Sequence, residues 1–103
     1  MVSAIDKQPQ IINSPDNKMQ IINHRLYFDR FGCACVEGAV KNLTDKIGLI
    51  ANIKTDYYDF DGNYIDSEVQ NLPFKYPNRA IGFHVMYSGP RRLETKLYQI
   101  SFT

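Results

Sequence analysis

At 103 residues, 44% of them hydrophobic and 22% charged, the chain has the length and make-up of one globular domain and not of a disordered segment. Twelve Lys and Arg stand against eleven Asp and Glu, a net charge of +1, so no whole-molecule field draws the chain to nucleic acid or to an anionic membrane. No stretch approaches the roughly 20 apolar residues of a membrane-spanning helix, and Met1 to Gln10 lacks the apolar run of a signal peptide.

In chain order, residues 1–18 hold Pro9, Pro15 and the cluster Asn13-Ser14-Pro15-Asp16-Asn17, and read as a flexible arm or linker whose Gln10-Ile11-Ile12 can dock on a sheet edge. Residues 19–103 read as one β-sandwich domain. Short runs rich in Ile, Val, Tyr and Phe alternate there with turn clusters, and no helical period appears. The expected strands are Gln20 to Asp29, Cys33 to Leu43, Leu49 to Asp59, Asn63 to Gln70, Arg79 to Tyr87 and Glu94 to Phe102. Each break contains Gly, Pro, Asp or Asn, residues that favour turns through positive φ, fixed φ or side-chain caps.

Side chains in a strand point to opposite faces with a period of two, so alternation assigns the faces. Val36, Val40, Ala51, Ile53, Tyr57, Ile81, Phe83, Val85, Tyr98, Ile100 and Phe102 are expected inward. Cys35, Glu37, Lys41, Gly82, His84 and Met86 are expected outward. Ile21, Ile22, Leu26, Tyr27 and Phe28 fit neither phase. Half-buried strands without helices to cover them suit two antiparallel sheets face to face. The expected fold is an immunoglobulin-like antiparallel sandwich of about seven strands. Trp is absent and so is the Cys…Trp…Cys spacing of antibody domains, which makes the likeness architectural. Cys33 and Cys35 are the only cysteines, and at i and i+2 of a strand they lie ~6.5–7 Å apart, near the limit for a disulfide. Free thiols are expected.

Three segments together carry a family likeness: Val36-Glu37-Gly38-Ala39-Val40-Lys41-Asn42, Asp56-Tyr57-Tyr58-Asp59-Phe60-Asp61-Gly62, and Arg79-Ala80-Ile81-Gly82-Phe83. They resemble the FxLYD domains of bacterial and archaeal envelope proteins. Tyr58 and Asp59 match the last two positions of the naming motif and Gly62 the glycine after it, while Thr55 stands in place of Phe and Tyr57 in place of Leu. The resemblance spans about Gln20 to Phe102 and rests on short structural motifs. It implies an immunoglobulin-like sandwich, an extracytoplasmic or cell-surface location, and an accessory role without catalytic residues.

Several constellations bear on function. Asp59-Phe60-Asp61-Gly62-Asn63 looks like the opening of a calcium loop, but Glu68 misses the bidentate position, so a hairpin turn braced by Asp side chains is expected. Asn42-Leu43-Thr44 is a glycosylation triplet, and Asn42 also suits a turn cap. Phe74, Lys75, Tyr76 and Arg79 fall in one Pro-bounded loop. They can offer a recognition surface for a protein or glycan, or one aromatic can plug the open end of the sandwich. Cys33 and Cys35 share one face of the second strand and His84 and Met86 one face of the fifth. If those strands pair antiparallel, two thiols, an imidazole and a thioether adjoin as a soft-metal set for copper or zinc. No nucleophile elbow or phosphate loop occurs, and no basic stripe accompanies the tyrosines. The expected function is therefore a non-enzymatic binding or spacer module, monomeric and without cofactor or nucleic acid. Soft-metal binding is the alternative.

Overall fold

The computed structural model describes residues 10–103. Seven strands, β1 (Ile12–Asn13), β2 (Met19–Phe28), β3 (Ala34–Asn42), β4 (Ile50–Tyr58), β5 (Tyr64–Pro73), β6 (Ala80–Met86) and β7 (Leu97–Phe102), form two antiparallel sheets. One sheet has the order β1-β2-β3-β6 and the other β5-β4-β7. The chain is thus an all-β sandwich of seven strands. The pairing of β3 with β6 is made, while the hairpin β2–β3 stays within one sheet and β4–β5 within the other. In the segment read as an arm, Ile12 and Asn13 pair with Ile21 and Gln20 on the edge of the larger sheet. Residues 1–9, the rest of that segment, lie outside the described residues.

The core lies between the sheets. Val36, Val40 and Phe83 from the larger sheet meet Ala51, Ile53, Tyr57, Tyr98 and Ile100 from the smaller, with Ile81 and Phe102 half-buried at the margin. At ~25 cal/mol per Å² of apolar surface, each such large side chain contributes about 1.5–3 kcal/mol on burial. Tyr57 stacks on Tyr87 with ring centroids 4.7 Å apart.

The phase ambiguity of β2 has a physical cause. Ile22 pairs with Ala39 and Arg25 with Glu37, so β2 spends three steps where β3 spends two. One extra residue makes a β-bulge, and Asn23 takes a φ of +55°, outside the usual strand region. The inward set therefore switches parity across the bulge: Ile21 and Leu26 are both buried although five positions apart. His24 is thereby turned into the core. A Cβ on Gly38 would lie 2.9 Å from the His24 Cα and 2.9 Å from Phe83 Cζ, so only glycine fits beneath the bulge.

Three expectations need correction. Cys35 belongs to the outward face yet is only 2% exposed, because its cross-strand neighbours Tyr27 and Met86 cover it from both sides. The strand expected to end at Gln70 runs on to Pro73, since Asn71, Leu72 and Pro73 continue the ladder against Ile50, Ala51 and Asn52. The strand expected from Glu94 begins at Leu97, because residues Arg92–Glu94 form a 3-10 turn.

Candidate functional site

The site is built at the end of the sandwich where β5 passes to β6. Pro73 closes β5, and the next residue is held by two backbone bonds to the β3–β4 connection. The Phe74 N–H donates to the Leu49 carbonyl at 2.8 Å, and the Gly48 N–H donates to the Phe74 carbonyl at 3.1 Å. Phe74 is 2% exposed and packs into the core. It is the plug that an open sandwich end requires. Pro77 and Asn78 then turn the chain, Asn78 at a φ of +54°, and the Asn78 N–H donates to the Thr44 carbonyl. The Asn42 N–H in turn takes the Arg79 carbonyl at 2.9 Å and starts the β3–β6 ladder.

With Phe74 drawn in, the remaining side chains rim a cleft of about 370 Å³. Lys75, Tyr76 and Arg79 line it together with Phe74, Ala80 and Ile81. Tyr76 is 61% exposed, and the Arg79 guanidinium lies over its ring, 5.4 Å from the centroid. Among the described residues neither cation has a carboxylate within ion-pairing reach, the ion pairs being Arg25–Glu37, Lys54–Asp56 and Arg91–Glu94. No acidic residue lines the cleft. Plug and recognition surface are thus both present, divided between Phe74 and its three neighbours.

The soft-metal residues are only partly brought together. The β3–β6 register sets Cys35 opposite Met86, as that reading requires, but His84 opposite Glu37. His84 Nε2 is hydrogen-bonded to the Tyr27 hydroxyl, and the Tyr27 and His84 rings lie against each other. Cys33 precedes β3 and donates its backbone N–H to Asp29. The Cys35 thiol points to the Cys33 carbonyl, and burial pushes it up, away from the thiolate that a metal needs. The described residues hold no group of three or more His, Cys, Asp or Glu placed to hold a metal ion. Neither cysteine is in a disulfide.

The two turn motifs take their structural roles. Asp59 Oδ1 accepts the backbone N–H of Asp61 at 3.0 Å and of Asn63 at 2.8 Å, and these bonds hold its carboxyl below the usual carboxylate range. Asp29 Oδ1 likewise accepts the backbone N–H groups of Phe31 and Cys33 in the β2–β3 hairpin. Gly62 and Gly32 supply φ of +86° and +81° at matching places in the two loops. Asn42 is 0% exposed. Its Nδ2 donates to the Lys46 carbonyl while its Oδ1 accepts from the Thr44 N–H and Oγ1. Expressed in a glycosylating host, the protein is expected to leave Asn42 unmodified in an intact-mass measurement. Occupancy of that residue would contradict the buried amide. Asn42→Ala is expected to lower stability by about 1–3 kcal/mol in a denaturant titration, because it strands the Lys46 carbonyl and the Thr44 donors.

No protein-family model matches the chain, and no curated protein matches it. A solved structure does share the fold: a DUF1425 family member from Shewanella sp. pv-4 superposes with a TM-score of 0.60 over 92% of this chain and 95% of that one, at 9% identity. At that identity the likeness concerns the arrangement of strands alone. No helix of the described residues is long and apolar enough to cross a membrane.

His24 is a residue that the sequence leaves as a structural or solvent histidine without placing it. Its ring bridges the two sheets: the Tyr98 hydroxyl donates to Nδ1 at 2.6 Å, and Nε2–H donates to the Gln10 carbonyl at 2.7 Å. The signal was available as the broken alternation around it. Also unassigned were Asp66, Glu68 and Gln70, part-buried on β5, with Tyr87 donating to Asp66 Oδ2 at 3.0 Å and Gln70 donating to the His84 carbonyl at 3.4 Å.

Proposed function

We propose that the chain is a non-catalytic binding module of a cell-envelope or secreted protein, akin to FxLYD domains, and that the cleft between β5 and β6 is its binding surface. The observation that carries this reading is the cleft itself. Phe74 gives it an apolar floor, Tyr76 an aromatic wall, and Lys75 and Arg79 two cations without internal partners. Exposed Tyr and Arg beside a desolvated floor are the residue types that dominate interface energetics. The envelope setting draws on the family resemblance and on the Asp-closed turn at Tyr58-Asp59…Gly62, a glycine-turn hairpin of the kind that family carries.

The test uses the protein expressed from its native gene in its host, with a photoreactive benzoyl-phenylalanine at Tyr76. External protease added to intact cells or spheroplasts is expected to reach it, and irradiation to give one discrete adduct. Arg79→Glu, checked for an unchanged melting transition, is expected to reduce that adduct about tenfold or more. Protection from external protease would overturn the envelope assignment. No adduct, or one indifferent to Arg79, would overturn the cleft as binding surface.

A further inference from the structure

The strand beside the cleft has an unusual property for a native sheet. β6 terminates the order β1-β2-β3-β6 and pairs with β3 through seven consecutive residues, without a register shift. Among the described residues no strand pairs with its other side. Proteins ordinarily blunt such edges with Pro, Lys, bulges, inward charges or very short strands. Ala80-Ile81-Gly82-Phe83-His84-Val85-Met86 has none of these. The other edges differ: β1 has two residues, and β5 carries Asp66 and Glu68 and ends in Pro73. β7, six residues long, is an edge of the smaller sheet, and its Tyr98 side chain bonds to His24 of β2 across the core.

The backbone groups on the free side can be assigned. The Arg79 carbonyl and the Tyr87 N–H both engage β3 or its flanks, at Asn42 and Ala34. Backbone direction alternates along a strand, so Ile81, Phe83 and Val85 also bond toward β3, and Ala80, Gly82, His84 and Met86 present N–H and C=O to the open edge. The Gln70 side chain reaching the His84 carbonyl at 3.4 Å comes from that open side.

Two depressions abut this strand. The cleft of about 370 Å³ takes in Arg79, Ala80 and Ile81. A second, open depression of about 480 Å³ takes in Gly82, Phe83 and His84, with Ala39 and Glu37 of β3. An extended chain laid along β6 would thus have a ladder of backbone partners, room beside the small residues Gly82 and Ala39, and at one end an aromatic cleft with two unpaired cations. Those cations select the charge of what lies there.

We propose that β6 is a strand-addition site, taking an extended segment of another polypeptide that bears an acidic group at the Lys75–Arg79 end and an apolar side chain for the cleft. The proposal rests on the reading of the cleft as a binding surface and adds the mode and the class of partner.

The probe is a library of random dodecapeptides displayed on phage, selected on the full chain and depleted on the Arg79→Glu variant. Enriched peptides are expected to carry Asp or Glu beside an apolar residue. A synthetic copy is expected to slow amide exchange at Gly82, His84 and Met86 while Ile81, Phe83 and Val85 are protected with or without it. Methylating alternate backbone nitrogens of the peptide is expected to weaken binding about tenfold or more, since it deletes the ladder bonds. Peptides that shift the resonances of Lys75, Tyr76 and Arg79 but leave Gly82 and His84 exchanging freely would overturn strand addition and leave the cleft reading standing. Basic peptides, no enrichment, or binding that touches neither region would overturn both.

Discussion

Tyr57→Ala is expected to lower the unfolding free energy by about 3–5 kcal/mol, a large fraction of what a domain of this size holds. The ring is 0% exposed, stacks on Tyr87, and stands near the end of β4, the central strand of its sheet, between Asp66 of β5 and Tyr98 of β7. Its removal leaves a void that close-packed neighbours fill only in part. The companion variant gives the test its edge. The Tyr57 hydroxyl is buried beside the Glu68 carboxylate without reaching hydrogen-bond geometry, and burial together with that carboxylate pushes its phenol well above the ordinary tyrosine range. Deleting an unpaired buried hydroxyl forfeits nothing, so Tyr57→Phe is expected to fall within about 1 kcal/mol of wild type or above it. Equilibrium urea denaturation of both variants decides the matter. A large loss in Tyr57→Phe would show that the hydroxyl has a partner, and a small loss in Tyr57→Ala that the ring is not in the core.

His24→Ala is expected to be the other severe change, at about 2–4 kcal/mol, because it removes buried ring volume and leaves the Tyr98 hydroxyl and the Gln10 carbonyl without their partner. It also carries a pH signature. Nε2–H donates to a carbonyl and Nδ1 accepts from Tyr98, so the imidazole is neutral in the fold, and burial holds its protonation below the usual histidine range. Between the ordinary value of about 6.5 and that lowered value, the unfolded chain binds the proton and the folded one does not. Stability from this group is therefore complete above about pH 6.5 and declines as pH falls through it. Glu68 works the opposite way, since burial raises its carboxyl. The diagnostic is accordingly the difference between wild type and His24→Ala across pH 7 to 5. That difference is expected to shrink as pH falls, and a constant difference would mean that His24 titrates as it does in the unfolded chain.

The sandwich was legible in the sequence because period-two alternation is strong wherever a strand has one wet face. β3, β4, β6 and β7 all obey it, and their inward residues are those that alternation names. β2 was not legible, since one inserted residue at Asn23–His24 reverses the phase and no single-residue signal announces a bulge. β5 misleads for another reason. Its part-buried side includes Asp66, Glu68 and Gln70, whose partners Tyr87 and the His84 carbonyl come from β6 and the segment after it. Such polar burial depends on long-range neighbours that alternation cannot supply. For the candidate site, the Phe74 to Arg79 loop was legible as a cluster of residue types, but the division of labour within it was not. Which aromatic turns inward depends on the Leu49 and Gly48 backbone bonds to Phe74. The soft-metal set shows the converse: pairing of β3 with β6 was foreseen, while the bond from Tyr27 to His84 comes from a third strand.

The paired Asp-x-x-Gly loops have a consequence for how the chain reaches this state. Each lets its hairpin close locally, and hairpins of this kind form in about 1–10 μs. β6 and β7 have no such help. β6 must find β3 from some forty positions away, and β7 must find β4 at a similar remove, each against the entropy of closing a long loop. Topologies ruled by such distant contacts assemble in about milliseconds to seconds. Two ready-made hairpins would therefore wait for their last strands, and β3, lacking β6, would spend that interval with its own edge open to a neighbouring nascent chain.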